Sequence, residues 1–299
     1  MIRPSAFGYN TETAENNAFQ NMPVDLQNEE VVSRAQNEFD LFVGLLRYEG
    51  IDVTVIEDTS DPAKPDAVFP NNWISFHGDG TVVTYPMYSK LRRSERREEV
   101  IDELNSKFTI QHREHFEYFE KDNQYLEGTG SMVLDRANGI AYACISDRTD
   151  RELLEDWCDR MQFTPHTFYA ESKGKPIYHT NVMMAIASSL AVVCLECLPN
   201  KAERLALKES LEKNHAVVEI THDQVQSFAG NMLALKNRKG EELMIMSERA
   251  FDSLNTQQRN EIEKFTRIVS APINTIEDIG GGSARCMIAE IFLPAKSTI

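Results

Sequence analysis

Five segments of this chain share one local design. In each, a small or amide-rich break interrupts an apolar run, and a strand-like apolar stretch follows: "DAVFPNNWISF" (66–76), "YLEGTGSMVL" (125–134), "IYHTNVMMAI" (177–186), "SFAGNMLAL" (227–235) and "GGGSARCMIAEIFL" (280–293). With Asn72, Gly130, Asn181, Asn231 and Arg285 as markers, the intervals are 58, 51, 50 and 54 residues. Recurrence near fifty residues signals a supersecondary unit that cannot bury its apolar face alone and stacks against copies of itself. Helix-like segments lie between the breaks. Residues 93–108 place Val100, Ile101, Leu104 and Phe108 on one face, and 149–161 begin with Thr149 as a cap and carry Leu153, Leu154 and Trp157. Residues 201–213 offer Leu205, Leu207 and Leu211, and 247–265 continue the series. A strand pair, a helix and a strand, repeated five times, predict an α/β ring closed by repetition. An ordinary mixed sheet with evenly spaced strand starts satisfies the same spacing.

Composition narrows the partners. The 299 residues carry 31 basic and 47 acidic side chains, a net charge of −16. Such a balance argues against nucleic acid or an anionic membrane as partner and leaves a small molecule. The longest apolar stretch, "MMAIASSLAVVCLECL", is interrupted by Ser188, Ser189 and Glu196 and reads as packed core. The first residues lack an apolar signal region, so a cytoplasmic protein is expected. Five cysteines, an odd number at low density, fit reduced thiols.

In α/β assemblies, function collects at strand ends and adjoining loops. The five breaks contribute Asp66, Asn71 and Asn72, then Glu127, then His179 and Asn181, then Asn231, and finally Cys286. A cysteine, a histidine and an acid from different units make an activated nucleophile with an oriented acid/base. Cys144, Cys158, Cys194 and Cys197 read as small core hydrophobes. The last two form a C-x-x-C inside "AVVCLECL", without the turn that redox or metal chemistry uses. Cys286 differs, because the glycines before it let backbone approach a ligand closely. "HREH" (112–115) lacks the spacing of a zinc-binding H-E-x-x-H helix, and no phosphate-binding glycine loop is present.

The segments "GGGSARCM", "IYHTN", "YLEGTG" and "PDAVFPNNW", in that setting, resemble the guanidino-group-modifying superfamily of arginine deiminases, dimethylarginine dimethylaminohydrolases, agmatine deiminases and amidinotransferases. The opening "IRPSAFGYNTETAENNAFQ" and the overall layout look most like its citrulline-utilisation hydrolases. The resemblance covers nearly the whole chain. It implies a pentein, an α/β-propeller of five ββαβ units about a pseudo-five-fold axis, formed by residues 1–299 as one domain. It implies Cys286 as nucleophile, His179 as general acid/base and Glu127 as the acid orienting it. Asp66 matches an acid lining the substrate site, and Arg148 an arginine that binds the substrate carboxylate. Arg96 matches a second such arginine, in a run with several candidates. The resemblance implies no metal or organic cofactor.

Two departures bear on the substrate. Deiminases carry an aspartate where this chain has Asn72, and H-x-D where it has His179-Thr180-Asn181. Carboxylates suit a guanidinium, which offers only N–H donors and positive charge. Amides offer donors as well, which suits the carbonyl of a neutral ureido group. The expected reaction is therefore hydrolysis of citrulline to ornithine, CO2 and ammonia through a thiol-linked intermediate, with Asn71, Asn72 and Asn181 lining the site. Hydrolysis of arginine or dimethylarginine to citrulline is the alternative. An amidinotransferase and a binding-only pentein fit less well.

Overall fold

The structure is a computed structural model that describes residues 1–14, 17, 19–22 and 28–296. Four of the five expected units are present as three-stranded sheets of one topology. The first has Ile74–Phe76 antiparallel to Thr81–Thr84, which runs parallel to His112–His115. The second repeats this with Val133–Asp135, Ile140–Cys144 and Thr164–Phe168. The third has Met184–Ile186, Leu190–Val193 and Ala216–Glu219, and the fourth Leu233–Lys236, Glu242–Ser247 and Arg267–Ala271. Each parallel pair needs a crossover, and helical segments supply it. These are Glu98–Lys107, Arg151–Met161, Lys201–Glu212 and the pair Glu248–Ser253 with Thr256–Glu263.

The fifth unit is divided between the chain ends. Ile2–Arg3 lies parallel to Ile56–Glu57, with helix Asn28–Tyr48 between them. The C-terminal run stands beside them without forming a strand: Ile2 and Leu293 share a core cluster against which Ile56, Ala289 and Ile291 pack. Helix Asn28–Tyr48 was not anticipated from the sequence. Its apolar face is nonetheless legible, since Val31, Ala35, Phe39, Phe42 and Leu46 recur at helical spacing and all are buried. They join a core with Leu243, Ile245 and Val269 of the fourth unit and with Cys286 and Met287.

Local expectations needed three corrections. Helix Arg151–Met161 is capped by Asp150, whose carboxylate accepts from the Leu153 N–H at 2.9 Å, and not by Thr149. Leu205 is 57% exposed while Leu207 and Leu211 are buried, because positions two apart point to different faces of a helix. The segment 247–265 is two helices, divided where Asn255 caps the second in a reciprocal box with Gln258.

No helix among the described residues is long and apolar enough to cross a membrane.

Candidate active site

A tight turn precedes the first strand of each three-stranded sheet, and these four turns and the loop before Cys286 touch in succession. Pro70–Asn72 form a 3-10 turn with proline at its first position, and Glu127 stands at the head of the short helix Gly128–Ser131. His179 precedes the 3-10 turn Thr180–Val182. Thr129 Oγ1 donates to the Asn71 carbonyl at 3.3 Å, and Thr180 Oγ1 to the Ser131 carbonyl at 2.6 Å. Asn231 Nδ2 donates to the Asn181 carbonyl at 2.9 Å, and the Arg285 N–H donates to Asn231 Oδ1 at 3.1 Å. The loop before Cys286 returns to the first unit. A Cβ at Gly280 or Gly282 would come within 2.8–2.9 Å of the Phe69 ring. Gly281 sits at φ +64°, where a side chain is strained. The glycines before the cysteine thus serve two needs, close approach to Phe69 and a left-handed turn. Ser283 anchors the loop by donating to buried Glu277 at 2.6 Å.

Cys286 is 5% exposed. Two side-chain amides donate to its sulfur, Asn231 Nδ2 at 3.3 Å and Asn181 Nδ2 at 3.6 Å, an arrangement that suits a sulfur carrying negative charge. His179 Nε2 lies 2.7 Å from Glu127 Oε2. Glu127 is fully buried and accepts from the Tyr88 N–H at 2.9 Å through its other oxygen. Burial works against its charge, but Arg148 at 3.5 Å and the His179 hydrogen bond overcome it and hold the carboxyl down at about 2. Burial lowers His179 to about 4, the Glu127 interaction opposing this and the charges of Arg148 and Arg92 adding to it. The imidazole is therefore neutral at rest. With Nε2–H given to Glu127, Nδ1 is the nitrogen left as base.

Cys286, His179, Asp66, Asn72 and Arg148 line one small cavity of about 20 Å³, room for roughly one water. Thr13, Asn17, Phe69, Arg92, Tyr178 and the loop Gly280–Gly282 complete its walls. Asn17 Nδ2 donates to the Gly281 carbonyl at 3.3 Å, and Arg148 Nη2 to the Thr13 carbonyl at 3.3 Å. Arg148 also lies over the Tyr178 ring, 4.7 Å from its centroid. A larger cavity, about 900 Å³, is lined by the first strands and residues 288–292 but does not include Cys286, His179 or Asp66. The smaller one gathers the candidate residues.

Asn71 braces the first turn against the second by donating to Thr129 Oγ1 at 3.3 Å. Asn181 stands beside the sulfur. Arg96 does not line the cavity. Its guanidinium is held by Glu120 at 2.6 and 3.1 Å and by the Tyr85 carbonyl. The arginine of that run which lines it is Arg92, paired with Glu95 through two bonds of 2.9 Å, donating to Asn72 Oδ1 at 2.9 Å and lying 3.7 Å from Asp66. Nothing in the run distinguishes the two arginines by sequence. Asn231 went without a role in the sequence reading. Its register with Asn72 and Asn181 was the signal that could have supplied one.

The Arg92 bond fixes the Asn72 amide. Its oxygen is taken, and Nδ2 is buried with no hydrogen-bond partner among the described residues. One oxygen each of Asp66 and Asn181 is in the same condition. An unpaired donor on Asn72 and an unpaired acceptor on Asp66 thus belong to residues that line the cavity with the thiol and the neutral base, whereas Asn71 and Asn181, expected to line it, stand behind the lining.

Several solved structures share this fold. The N-terminal domain of ArgZ, an arginine dihydrolase from the ornithine–ammonia cycle in cyanobacteria, is 16% identical, with a TM-score of 0.71 over 98% of each chain. AgrE, in a ternary complex with ornithine and NAD+, is 16% identical with a TM-score of 0.72; this chain is covered in full and spans 40% of that longer one. A dimethylarginine dimethylaminohydrolase adduct with S-methyl-L-thiocitrulline has a TM-score of 0.65 at 13% identity over 96% of each. The protein is a member of the pentein guanidino-modifying superfamily, and a hydrolase of non-peptide C–N bonds. Within it, the chain belongs to the family described as N,N dimethylarginine dimethylhydrolase, eukaryotic, whose model matches residues 3–293. No curated protein matches it in sequence.

Proposed function

We propose that the chain hydrolyses citrulline to ornithine, CO2 and ammonia through a covalent intermediate on Cys286. The observation that carries this is Asn72, a cavity-lining residue whose amide oxygen is taken by Arg92 and whose buried NH2 has no hydrogen-bond partner among the described residues. A guanidinium has no lone pair to accept from it, whereas a ureido oxygen does.

Neutral His179 takes the Cys286 proton at Nδ1, and the amides of Asn181 and Asn231 hold the thiolate. The sulfur attacks the ureido carbon. Asn72 Nδ2 donates to the oxyanion that forms. The imidazolium, stabilised by Glu127, gives its proton to the δ-nitrogen, the C–N bond breaks and ornithine departs. Water then attacks the S-carbamoyl carbon as His179 removes its proton. Carbamate leaves, the thiol is restored, and carbamate decays to CO2 and ammonia. Arg148 binds the substrate carboxylate. A cavity of about 20 Å³ cannot admit an amino acid, so the site opens for substrate entry. We read residues 1–299 as one domain whose five units close a propeller, supported by the succession of contacts from turn to turn and back to Phe69.

A second reading rests on the unpaired oxygens of Asp66 and Asn181, which would accept from guanidinium N–H groups. On arginine or dimethylarginine the same nucleophile would give citrulline. Incubation with citrulline, arginine and dimethylarginine, followed by identification of products, separates the two. Efficient arginine turnover with none of citrulline overturns the ureido assignment.

A further inference from the structure

Cys194 and Cys197 acquire a third partner in the folded chain. The parallel strands Leu190–Val193 and Ala216–Glu219 end side by side, and their following segments converge. After the first strand, Leu195–Cys197 form a 3-10 turn with Cys194 at its head. This turn, not expected from the sequence, takes both thiols out of the strand. After the second strand, Thr221 leads into helix His222–Gln226. The two sulfurs lie 3.0 Å apart, and His222 Nδ1 is 3.5 Å from Cys197 Sγ. All three potential ligand atoms lie within 4.8 Å of one another. Both thiols are fully buried, while His222 is only partly so and offers the way in.

We propose that Cys194, Cys197 and His222 bind a thiophilic divalent metal ion, Zn2+, at a structural site separate from the catalytic centre. Zinc takes sulfur at about 2.3 Å and imidazole nitrogen at about 2.0 Å, so tetrahedral ligands stand about 3.6 Å apart for S···N and 3.8 Å for S···S. The Cys197–His222 spacing already matches. The sulfurs need to part by under about 1 Å, a small torsional adjustment of the two side chains. Two thiolates and an imidazole are the donor set that favours zinc over harder cations. The Glu196 carboxylate accepts from the His222 backbone N–H at 3.1 Å and so helps hold His222 in place, and water supplies the fourth ligand. Binding releases the thiol protons to solvent. The ion would add a side-chain tie between the segments that follow the two paired strands.

The test uses the full chain, reduced and stripped of metal, carrying Cys286→Ser so that the nucleophile cannot bind zinc. Zn2+ is titrated against a chromophoric chelator, and the thermal midpoint is followed with and without the ion. The expected result is one equivalent bound and a raised midpoint. Further substitution of His222→Ala at its partly exposed position should weaken affinity at least about tenfold, and Cys194→Ser should abolish binding. Absence of zinc binding in the folded Cys286→Ser protein overturns the proposal. So does binding that His222→Ala and Cys194→Ser leave unchanged. A pair that forms a disulfide in air while showing no zinc affinity overturns it in favour of a redox couple.

Discussion

Replacing Gly130 by alanine adds one methyl group at the point where Asn72 and His179 meet. The new Cβ would stand 2.3 Å from Asn72 Nδ2 and 2.8 Å from His179 Nδ1 and Cε1. Ordinary contact begins near 3.5 Å, so the amide must retreat by about 1 Å and the imidazole by more than about half an ångström. Neither is loose, since Asn72 is tied to Arg92 at 2.9 Å and His179 to Glu127 at 2.7 Å. Gly130 does not have positive φ, so alanine is acceptable to the backbone and the effect isolates the contact. Overpacking of this kind costs about 1–3 kcal/mol of stability, a few degrees in Tm. A displacement of about 1 Å in a reacting constellation costs on the order of a hundredfold in rate. The assay is kcat/KM on the substrate the native enzyme prefers, alongside thermal unfolding. A folded Gly130→Ala protein with native kcat/KM would refute the assignment of Asn72 and His179 to the reacting centre.

Three further outcomes are expected. Asn72→Asp keeps the Arg92 bond but loses the donor, so citrulline turnover should fall about tenfold or more with the fold intact, whereas unchanged turnover removes Asn72 from oxyanion binding. His179→Ala should be nearly inactive and Glu127→Gln strongly impaired, with losses well short of multiplicative in the double variant, because the two act as a unit; multiplicative losses in kcat/KM would show that Glu127 works elsewhere. Burial depresses His179 from 6.5 to about 4, so kcat/KM should hold from pH 7 to about pH 5 and fall towards pH 4. The linked stability has the same sign: the unfolded chain takes up the proton first, so the contribution is complete above pH 6.5 and is lost as pH falls towards about 4. Glu95 and Glu277, raised by burial to about 7, act in the opposite sense, so the effect is read as the difference in Tm between the native protein and His179→Gln across that window. An acid limb near pH 6.5 would show an imidazole that is not desolvated.

The sequence alone carried the repeat, because a turn that must pack against its neighbour keeps small residues and amides at fixed intervals. It also offered Cys286, His179 and Glu127 as candidates, since the proposed chemistry needs those functional groups and each stands at the head of a unit. It did not say which arginine of "RRSERREEV" reaches the centre. Arg92 and Arg96 are four residues apart with the same composition around them, and only the positions of Glu95, Asn72 and Glu120 separate an arginine at the cavity from one on the flank. Nor did it give the charge of His179. Glu127 by itself would favour the imidazolium, and the desolvation that reverses this comes from packing contributed by several units at once. Helix Asn28–Tyr48 was legible in pattern, but its place in a unit completed by the C-terminal run depended on chain ends nearly three hundred residues apart meeting in space. The neighbourhood of Cys197 and His222 has the same origin. Twenty-five residues separate them in sequence, and the parallel pairing of the two preceding strands brings them to 3.5 Å.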